Sequence, residues 1–258
     1  MTDASPAGGP PGSPPAPADG TLATPAQYPG RELDRFRDAV NWKAYLRERL
    51  EPFLGESVLE VGAGLGAMTE ILCHGAPERW VCLEPDPDLA ARLAGRRVSG
   101  EVPEGCEVVR GGTGALLPGP RFDSILYVDV LEHVADDREE LERAADLLAP
   151  GGHLVVLAPA HSFLFSPFDE AVGHYRRYTR QRLLDAAPED LDVAAARYLD
   201  AVGLLASLGN RLLLRSSMPT RRQIRTWDRL MVPLSRALDP LLTHRVGKSV
   251  LAVWRRPQ

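Results

Sequence analysis

A glycine-rich stretch between a buried strand and a helix constrains this chain more than any other feature. Val58 to Val61 is a short apolar run typical of a buried parallel strand, and Ala67 to Cys73 is predicted to be a helix. Gly62, Gly64 and Gly66 lie between them and predict a turn too tight for side chains. Such a turn lets a ligand lie on the backbone beside the helix N-terminus. The sequence therefore predicts the opening of a nucleotide-binding α/β domain.

The glycine spacing alone leaves open which nucleotide binds. Gly62, Gly64 and Ala67 also satisfy the relaxed dinucleotide fingerprint, so a nicotinamide oxidoreductase is one interpretation. Glu60 argues against it, because a carboxylate inside a strand is costly to bury without a cationic or donor partner. With Gly66, the stretch reads E-x-G-x-G-x-G, which resembles the first motif of class I S-adenosylmethionine (SAM) methyltransferases.

The resemblance covers residues 57–158 and includes three later motifs. These are an acid ending the second strand, Asp129-Val-Leu-Glu-His-Val134 after the fourth, and Leu148-Ala-Pro-Gly-Gly152 before the fifth. It implies a seven-stranded, doubly wound, mostly parallel α/β sheet, SAM as cofactor and S-adenosylhomocysteine as product. It also implies a methyltransferase (EC 2.1.1) that acts on a small molecule. The residues expected at the cofactor are Glu60, Gly62, Ala63, Gly64, Gly66, Glu84, Pro85, Thr113, Asp129 and Val130.

Two of these predictions concern the nucleoside. Glu84 ends the second predicted strand, where an acid accepts ribose hydroxyls in dehydrogenases and methyltransferases alike, and Pro85 is expected to border the adenine. The family often places an acid or amide after the third strand to meet the adenine amino group. Gly111-Gly-Thr-Gly-Ala115 contains neither, which leaves this contact to the Thr113 hydroxyl or to a backbone N–H beside it.

The fourth strand and the segment after it are expected to carry the chemistry. Asp129, Glu132 and His133 follow this strand, and carboxyl ends of parallel strands carry the sites of open α/β sheets. The string resembles the fourth motif of small-molecule methyltransferases, including those that methylate quinones. His133 is interpreted either as a general base or as a structural histidine.

The stretch after the fifth strand, residues 159–180, is unusually aromatic and charged. It resembles a methyltransferase subgroup with an Asp-x-x-x-Gly-His-Tyr-Arg-Arg-Tyr loop. His174 and Tyr178 are candidate catalytic residues, and the candidate substrate-binding residues are His161, Asp169, Tyr175 and Arg176. Alternatively, this is a structural loop in which Asp169 pairs with an arginine. His161, Asp169 and His174 are spread along this loop and could converge, but their spacing alone is weak evidence for a metal site, so none is expected.

Composition and periodicity divide the chain into four segments. Residues 1–29 are rich in Pro, Gly and Ala and are predicted to be a disordered tail, and residues 30–200 form the Rossmann-like SAM-binding core with an N-terminal helix. Residues 201–247 are predicted to be a helical lid inserted before the final strand of the core, residues 248–258. The predicted basic face of this insertion includes Arg211, Arg215, Arg221, Arg222 and Arg225. These residues could bind a phosphorylated or lipid-linked substrate, contact a membrane surface or mediate dimerisation. Alternatively, they form a solvated helix face.

Other features limit partners and location. The three cysteines lack C-x-x-C spacing and no signal peptide or membrane span is evident, so a cytoplasmic monomer or homodimer is expected. The Asn/Asp-Pro-Pro-aromatic pattern of amino-directed nucleic-acid methyltransferases is absent after the fourth strand, so no nucleic-acid partner is expected. The acceptor is interpreted as a small molecule, such as a specialised metabolite. The motifs leave open a SAM-binding protein of this fold that catalyses a non-methylating step such as cyclisation.

Overall fold

A computed structural model describes residue 33 and residues 36–73, 77–116, 121–213 and 219–258. The predicted tail, residues 1–29, and Arg215 lie outside these ranges. Among the described helices, none combines the length and the apolar character needed to span a bilayer.

In the described part of the chain, seven strands form one sheet in the order β3-β2-β1-β4-β5-β7-β6. The strands are β1 (Ser57–Val61), β2 (Arg79–Glu84), β3 (Cys106–Arg110), β4 (Phe122–Val128), β5 (Leu148–Pro159), β6 (Asp192–Leu199) and β7 (Ser249–Arg255). β7 is antiparallel to both of its neighbours, β5 and β6, and the other pairs are parallel. This arrangement confirms the predicted fold class.

The described helices connect these strands and cover the two faces of the sheet. They are α1 (Val40–Leu50), α2 (Thr69–Leu72), α3 (Pro87–Val98), α4 (Asp137–Asp146), α5 (Pro167–Ala171), α6 (Arg180–Leu184), α7 (Ala201–Leu213), α8 (Arg221–Thr226) and α9 (Val232–Leu241). Successive residues of a strand point to opposite faces, so Leu59 packs with Leu141 of α4, whereas Val58 packs in the cluster of Leu46 from α1. Both faces of the central strands are therefore buried, as is typical of a parallel sheet.

Two boundaries near the glycine motifs differ from the sequence predictions. The helix after the glycine turn begins only at Thr69, because residues 62–68 form the turn itself. β5 begins at Leu148 instead of His153, and its register with β4 shifts between Phe122 and Ser124. Gly151, at φ 77°, allows the backbone to bulge at this shift.

The helices between β6 and β7 are joined to α1 and to the end of β6 by buried carboxylates. Asp239 accepts hydrogen bonds from the Tyr45 hydroxyl (2.7 Å) and from the backbone N–H of Asp200 (2.7 Å). Asp228 accepts one from the backbone N–H of Trp42 (2.9 Å). The predicted basic side chains of α8, at Arg221, Arg222 and Arg225, are exposed. A lid role for residues 201–247 stays a prediction.

Candidate functional site

The turn after β1 brings bare backbone to the carboxyl edge of the sheet. Gly62, Gly64 and Gly66 all have positive φ, at 65°, 58° and 74°. A Cβ on Gly62 would lie 2.7 Å from a methyl group of Val130, so only glycine fits there. The N–H groups of Gly62 and Ala63 both donate to the Leu83 carbonyl, at 2.7 and 3.2 Å, and this fixes the turn against β2. We call residues 62–66 the glycine bend.

Two acids flank the glycine bend. Glu60 accepts hydrogen bonds from the Thr69 hydroxyl (2.6 Å) and the Trp80 indole N–H (3.0 Å), and these are the donor partners that its position in a strand requires. Burial nevertheless raises the pKa of Glu60 to about 7.

Glu84 ends β2 on the other side of the bend. Its two carboxylate oxygens accept from the N–H groups of Gly64 (2.7 Å) and Asp86 (2.9 Å). Burial raises the pKa of Glu84, although these hydrogen bonds oppose the shift. Each oxygen of a carboxylate offers more than one acceptor position, so the Glu84 carboxylate can accept further hydrogen bonds.

A cavity of about 1210 Å³ opens in front of the glycine bend. The residues predicted at the cofactor that line it are Glu60, Gly62, Ala63, Gly64, Glu84, Pro85, Asp129 and Val130. Sites for single small ligands have volumes of about 300–1,000 Å³. The cavity is therefore large enough for two small molecules side by side.

Two residues predicted at the cofactor lie behind the cavity wall. Gly66 shapes the bend from behind, since a Cβ there would lie 2.5 Å from the Leu93 side chain. The Thr113 hydroxyl is fully buried and donates to the Glu140 carboxylate at 3.0 Å. The hydroxyl is directed at Glu140 and away from the cavity, so it gives no support to the predicted contact with the adenine, which stays a prediction.

The far side of the cavity is lined by the residues after β4 and by the segment after β5. Asp129 adopts φ 55°, an uncommon conformation outside glycine that turns the chain sharply at the strand end. Asp129, Glu132, His133, His174 and Arg177 all line this side. The rings of His133 and His174 meet edge to face with centroids 4.6 Å apart. We call these two residues the histidine pair.

Asp169 positions His174 and Arg177, two of the residues that the segment after β5 contributes to this side. Its fully buried carboxylate accepts from Nδ1 of His174 (2.8 Å), and from Nε (2.8 Å) and Nη2 (3.0 Å) of Arg177. Burial alone would raise the pKa of Asp169, but the hydrogen bonds from His174, Arg177 and Ser166 outweigh it and lower the pKa to about 2. The structure therefore contains the alternative arrangement, in which Asp169 pairs with an arginine. Asp169 itself is not among the residues that line the cavity.

Tyr178 and Arg176 were predicted in the site, and the structure places both against α4. The Tyr178 hydroxyl, fully buried, donates to the Asp137 carboxylate at 2.8 Å and to the Leu131 carbonyl at 3.3 Å. Arg176 pairs with the same carboxylate at 2.7 Å. Neither side chain is among the residues that line the cavity, because both anchor the segment to α4, so a catalytic Tyr178 and a substrate-binding Arg176 stay predictions.

His161 and Tyr175 also lie outside the cavity lining. The His161 ring stacks between Phe163 and Tyr198, with centroid distances of 5.0 and 4.9 Å, and its Nε2 lies 3.0 Å from the Gly247 carbonyl oxygen. Tyr175 is exposed over 49% of its surface. Their contacts with substrate stay predictions, and neither residue is among those that line the cavity.

The sequence analysis missed one group of cavity residues altogether. Lys248 and Trp227 line the cavity, with the Lys248 ammonium 4.0 Å from the Trp227 ring centroid. Asp200 holds both, accepting from the Trp227 indole N–H at 2.7 Å and lying 3.5 Å from the Lys248 ammonium. Because β7 is antiparallel to β5, its first residue, Ser249, lies at the carboxyl ends of the parallel strands, and the preceding Lys248 is thereby brought to the cavity.

Residues 33–204 match a family described as a methyltransferase domain. The chain belongs to this methyltransferase family. Its strand order is that of class I SAM-dependent methyltransferases, as the motifs predicted. A nicotinamide oxidoreductase is not supported, although the glycine spacing permitted one.

Curated relatives of this methyltransferase act in quinone pathways, according to their names. The demethylmenaquinone methyltransferase of Tropheryma whipplei (strain Twist) is 31% identical over 174 residues, which cover 64% of this chain and 65% of the relative. The ubiquinone biosynthesis O-methyltransferase of Xylella fastidiosa (strain 9a5c) is 35% identical over 113 residues, or 43% and 45% of the two chains. The chain thus spans less than two thirds of the length of these relatives.

Solved structures show the same fold. The N-methyltransferase NodS from Bradyrhizobium japonicum WM9, in complex with S-adenosylhomocysteine, superposes with a TM-score of 0.57 and 18% identity. The superposition covers 92% of this chain and 95% of NodS. At this identity the likeness concerns the fold alone.

Proposed function

We propose that this methyltransferase transfers the methyl group of SAM to a small, largely apolar molecule that binds between the glycine bend and the histidine pair. The observation that supports this most is a single cavity in which cofactor motifs and a separate polar cluster face the same space. When bound, SAM supplies a methyl group activated by its sulfonium. The residues of the chain bind and orient the two molecules, and they exclude water from between them.

The cofactor side fits the proposed ligand. Gly62 and Gly64 present backbone without Cβ atoms, so an adenosyl group can lie directly on the bend. Glu84 is placed to accept the ribose hydroxyls, and Pro85 borders the base. Glu60 lies within reach of the methionine end and favours its ammonium group by charge.

The acceptor side combines an apolar wall with a few polar groups. Its apolar lining residues include Leu164, Phe165, Phe168, Val172, Ile224 and Trp227. Such a wall suits a ring or a lipid-linked acceptor, and the names of the curated relatives refer to quinone biosynthesis. Burial lowers the pKa of His133 to about 3, so its imidazole is neutral and a ring nitrogen can accept a hydrogen bond or bind a cation. This keeps His133 and His174 as the proposed catalytic residues.

Binding tests the cofactor half of the proposal. In titration calorimetry, S-adenosylhomocysteine is expected to bind the wild type and to bind Glu84→Gln about 10–100-fold more weakly, because charge-assisted hydrogen bonds contribute about 1.5–3 kcal/mol. Asp88→Asn is the matched control, since Asp88 is an exposed acid four residues further on, at the start of α3. Binding of NADH without binding of S-adenosylhomocysteine would contradict the proposal.

Turnover tests the acceptor half. The protein is incubated with SAM and a panel of apolar hydroxylated rings, and S-adenosylhomocysteine is quantified together with the mass of the product. We expect S-adenosylhomocysteine and a methylated product in equal amounts. An acceptor that is converted while SAM stays intact would favour the non-methylating alternative.

A further inference from the structure

Three side chains on the acceptor side converge on one point. The carboxylate of Glu132 and one ring nitrogen each of His133 and His174 lie within 4.8 Å of one another. The Nε2 of His174 is 3.8 Å from Oε1 of Glu132, which is too long for a hydrogen bond. Donor atoms that share one metal ion, each about 2.0–2.2 Å from it, are about 3–4 Å apart. The spacing therefore suits a shared ion better than direct contact.

Glu132 supplies an independent observation. Its side chain is 1% exposed, and within the described residues its Oε2 has no hydrogen-bond partner. A buried carboxylate oxygen is rarely left without a donor or a cation, because the desolvation cost is then uncompensated. The cluster therefore contains a buried carboxylate oxygen that no hydrogen bond within the described residues satisfies.

Both imidazoles are oriented as metal-binding histidines usually are. Nδ1 of His174 is bonded to the Asp169 carboxylate at 2.8 Å, which leaves Nε2 as the atom facing Glu132. His133 forms a hydrogen bond to the backbone of Gly173 through its ring. A ligating histidine generally donates its other N–H to a carboxylate or a carbonyl, and this fixes the tautomer and the ring plane.

We propose that Glu132, His133 and His174 bind one divalent transition-metal cation at the acceptor side of the cavity. Two imidazoles and one carboxylate favour Zn²⁺, Fe²⁺, Co²⁺ or Mn²⁺ over Mg²⁺ and Ca²⁺, which prefer oxygen ligands. Three protein ligands leave positions open towards the cavity, as in catalytic metal sites. No metal was expected from the sequence, because the positions of Glu132, His133 and His174 along the chain do not reveal that their side chains lie close together.

The chemical role of this cation rests on the proposed function, whereas the binding of the cation does not. A cation at this position lies where the acceptor is expected, and it would lower the pKa of an acceptor hydroxyl by coordinating its oxygen. The histidine pair would then act through the cation as ligands.

The experiment measures metal directly. The full chain, with any histidine tag removed, is stripped with a chelator, dialysed and titrated by calorimetry with Zn²⁺, Mn²⁺ and Mg²⁺. We expect one Zn²⁺ per chain, bound at least about 100-fold more tightly than Mg²⁺. Co²⁺ is expected to give d–d absorption typical of nitrogen and oxygen ligands. Strong thiolate charge-transfer bands would instead place the metal at Cys73, Cys82 or Cys106 and overturn the proposal.

Variants locate the site. Glu132→Gln, His133→Gln and His174→Gln are each expected to weaken Zn²⁺ binding at least about tenfold. His153→Gln is the matched control, because His153 is a part-buried histidine on β5 that packs against Phe53, away from the cluster. An equal loss in His153→Gln, or unchanged affinity in all three cluster variants, would overturn the assignment.

A parallel titration with S-adenosylhomocysteine separates the two proposals and verifies that each variant is folded. A wild type that binds S-adenosylhomocysteine but shows no saturable Zn²⁺ binding would refute the metal site and leave the methyltransferase proposal intact. That result would indicate that Glu132 carries a proton instead of a cation. Zn²⁺ binding without S-adenosylhomocysteine binding would support the metal site and contradict the methyltransferase proposal.

Discussion

The Glu60 carboxyl group shows how one residue links the stability of the sheet to the cofactor site. It lies in β1 with a pKa of about 7, raised by burial and opposed only in part by the Thr69 and Trp80 hydrogen bonds. The folded protein therefore binds a proton more tightly at this position than the unfolded chain does. Stability from this group is complete below the ordinary glutamate pKa and is lost as pH rises through about 7.

Glu60→Gln is expected to remove this pH dependence. At about pH 8 the cofactor-free variant should have a free energy of unfolding about 1–3 kcal/mol above that of the wild type, and at about pH 5 the difference should shrink. Glutamine keeps an acceptor oxygen for Thr69 and carries no charge. Urea unfolding at both pH values measures the effect, with the exposed Glu107→Gln on β3 as the control. An equal difference at both pH values would rule out the titration of Glu60 as its cause.

Individual side chains of the segment after β5 could not be assigned from the sequence. His174 and Tyr178 were predicted together as catalytic, yet only His174 faces the cavity, and Tyr178 is buried against Asp137. Neither the helical nor the strand period applies to this stretch, so the sequence does not reveal which side chain turns inwards. Glu60, Glu84 and Asp129 all line the cavity, and each of them lies in a regular strand or directly after one.

At the scale of elements, the segment after β5 depends on one carboxylate. Ser166 donates from its N–H and its hydroxyl to Asp169, both at 2.9 Å, and this caps α5. The same carboxylate accepts hydrogen bonds from His174 and Arg177. These two side chains therefore line the cavity from a loop that is fixed to the first turn of α5. The acceptor side should lose its geometry when this one anion is removed.

Asp169→Asn is expected to destabilise the protein by about 3–5 kcal/mol near neutral pH, because Arg177 is left in a buried site without its anion. The folded pKa of Asp169, about 2, lies below its ordinary value. The stabilisation is therefore present above the unfolded pKa and is lost as pH falls through about 2, so the difference between variant and wild type should narrow in acid.

Urea unfolding of this variant near pH 7 and near about pH 3 measures both effects. Glu170→Gln, an exposed neighbour on α5, is the control and should match the wild type at both values. If the free energy of unfolding that Asp169→Asn loses relative to the wild type were larger in acid than at neutral pH, the proposed role of the ionised carboxylate would be contradicted.

For the whole molecule, the buried acids Asp200, Asp228 and Asp239 join the helices after β6 to α1 and to the sheet. Asp200 accepts from the Ser235 hydroxyl as well as from Trp227. Trp42 of α1 packs against Trp227 with ring centroids 5.5 Å apart. The predicted insertion thus shares a core with the N-terminal helix, which the sequence did not reveal because these contacts join residues far apart along the chain.

Asp239→Asn is expected to lower the free energy of unfolding of the whole protein by about 2–4 kcal/mol, because its amide nitrogen would face backbone or hydroxyl donors. Tryptophan fluorescence and circular dichroism should report one coincident transition in both proteins. The exposed Asp190→Asn is the control. An early transition seen by fluorescence alone would show that the helices after β6 unfold independently.

The position of β7 between β5 and β6 also orders events during synthesis. β6 leaves the ribosome before the strand that joins it to the sheet, since residues 249–255 follow it by about fifty positions. Until then the edge of β5 stays open, and Lys248 and Ser249 are missing from the cavity wall. The residues of the glycine bend are therefore synthesised early, whereas the part of the cavity wall that Lys248 and Ser249 form is completed only after β7 has been made.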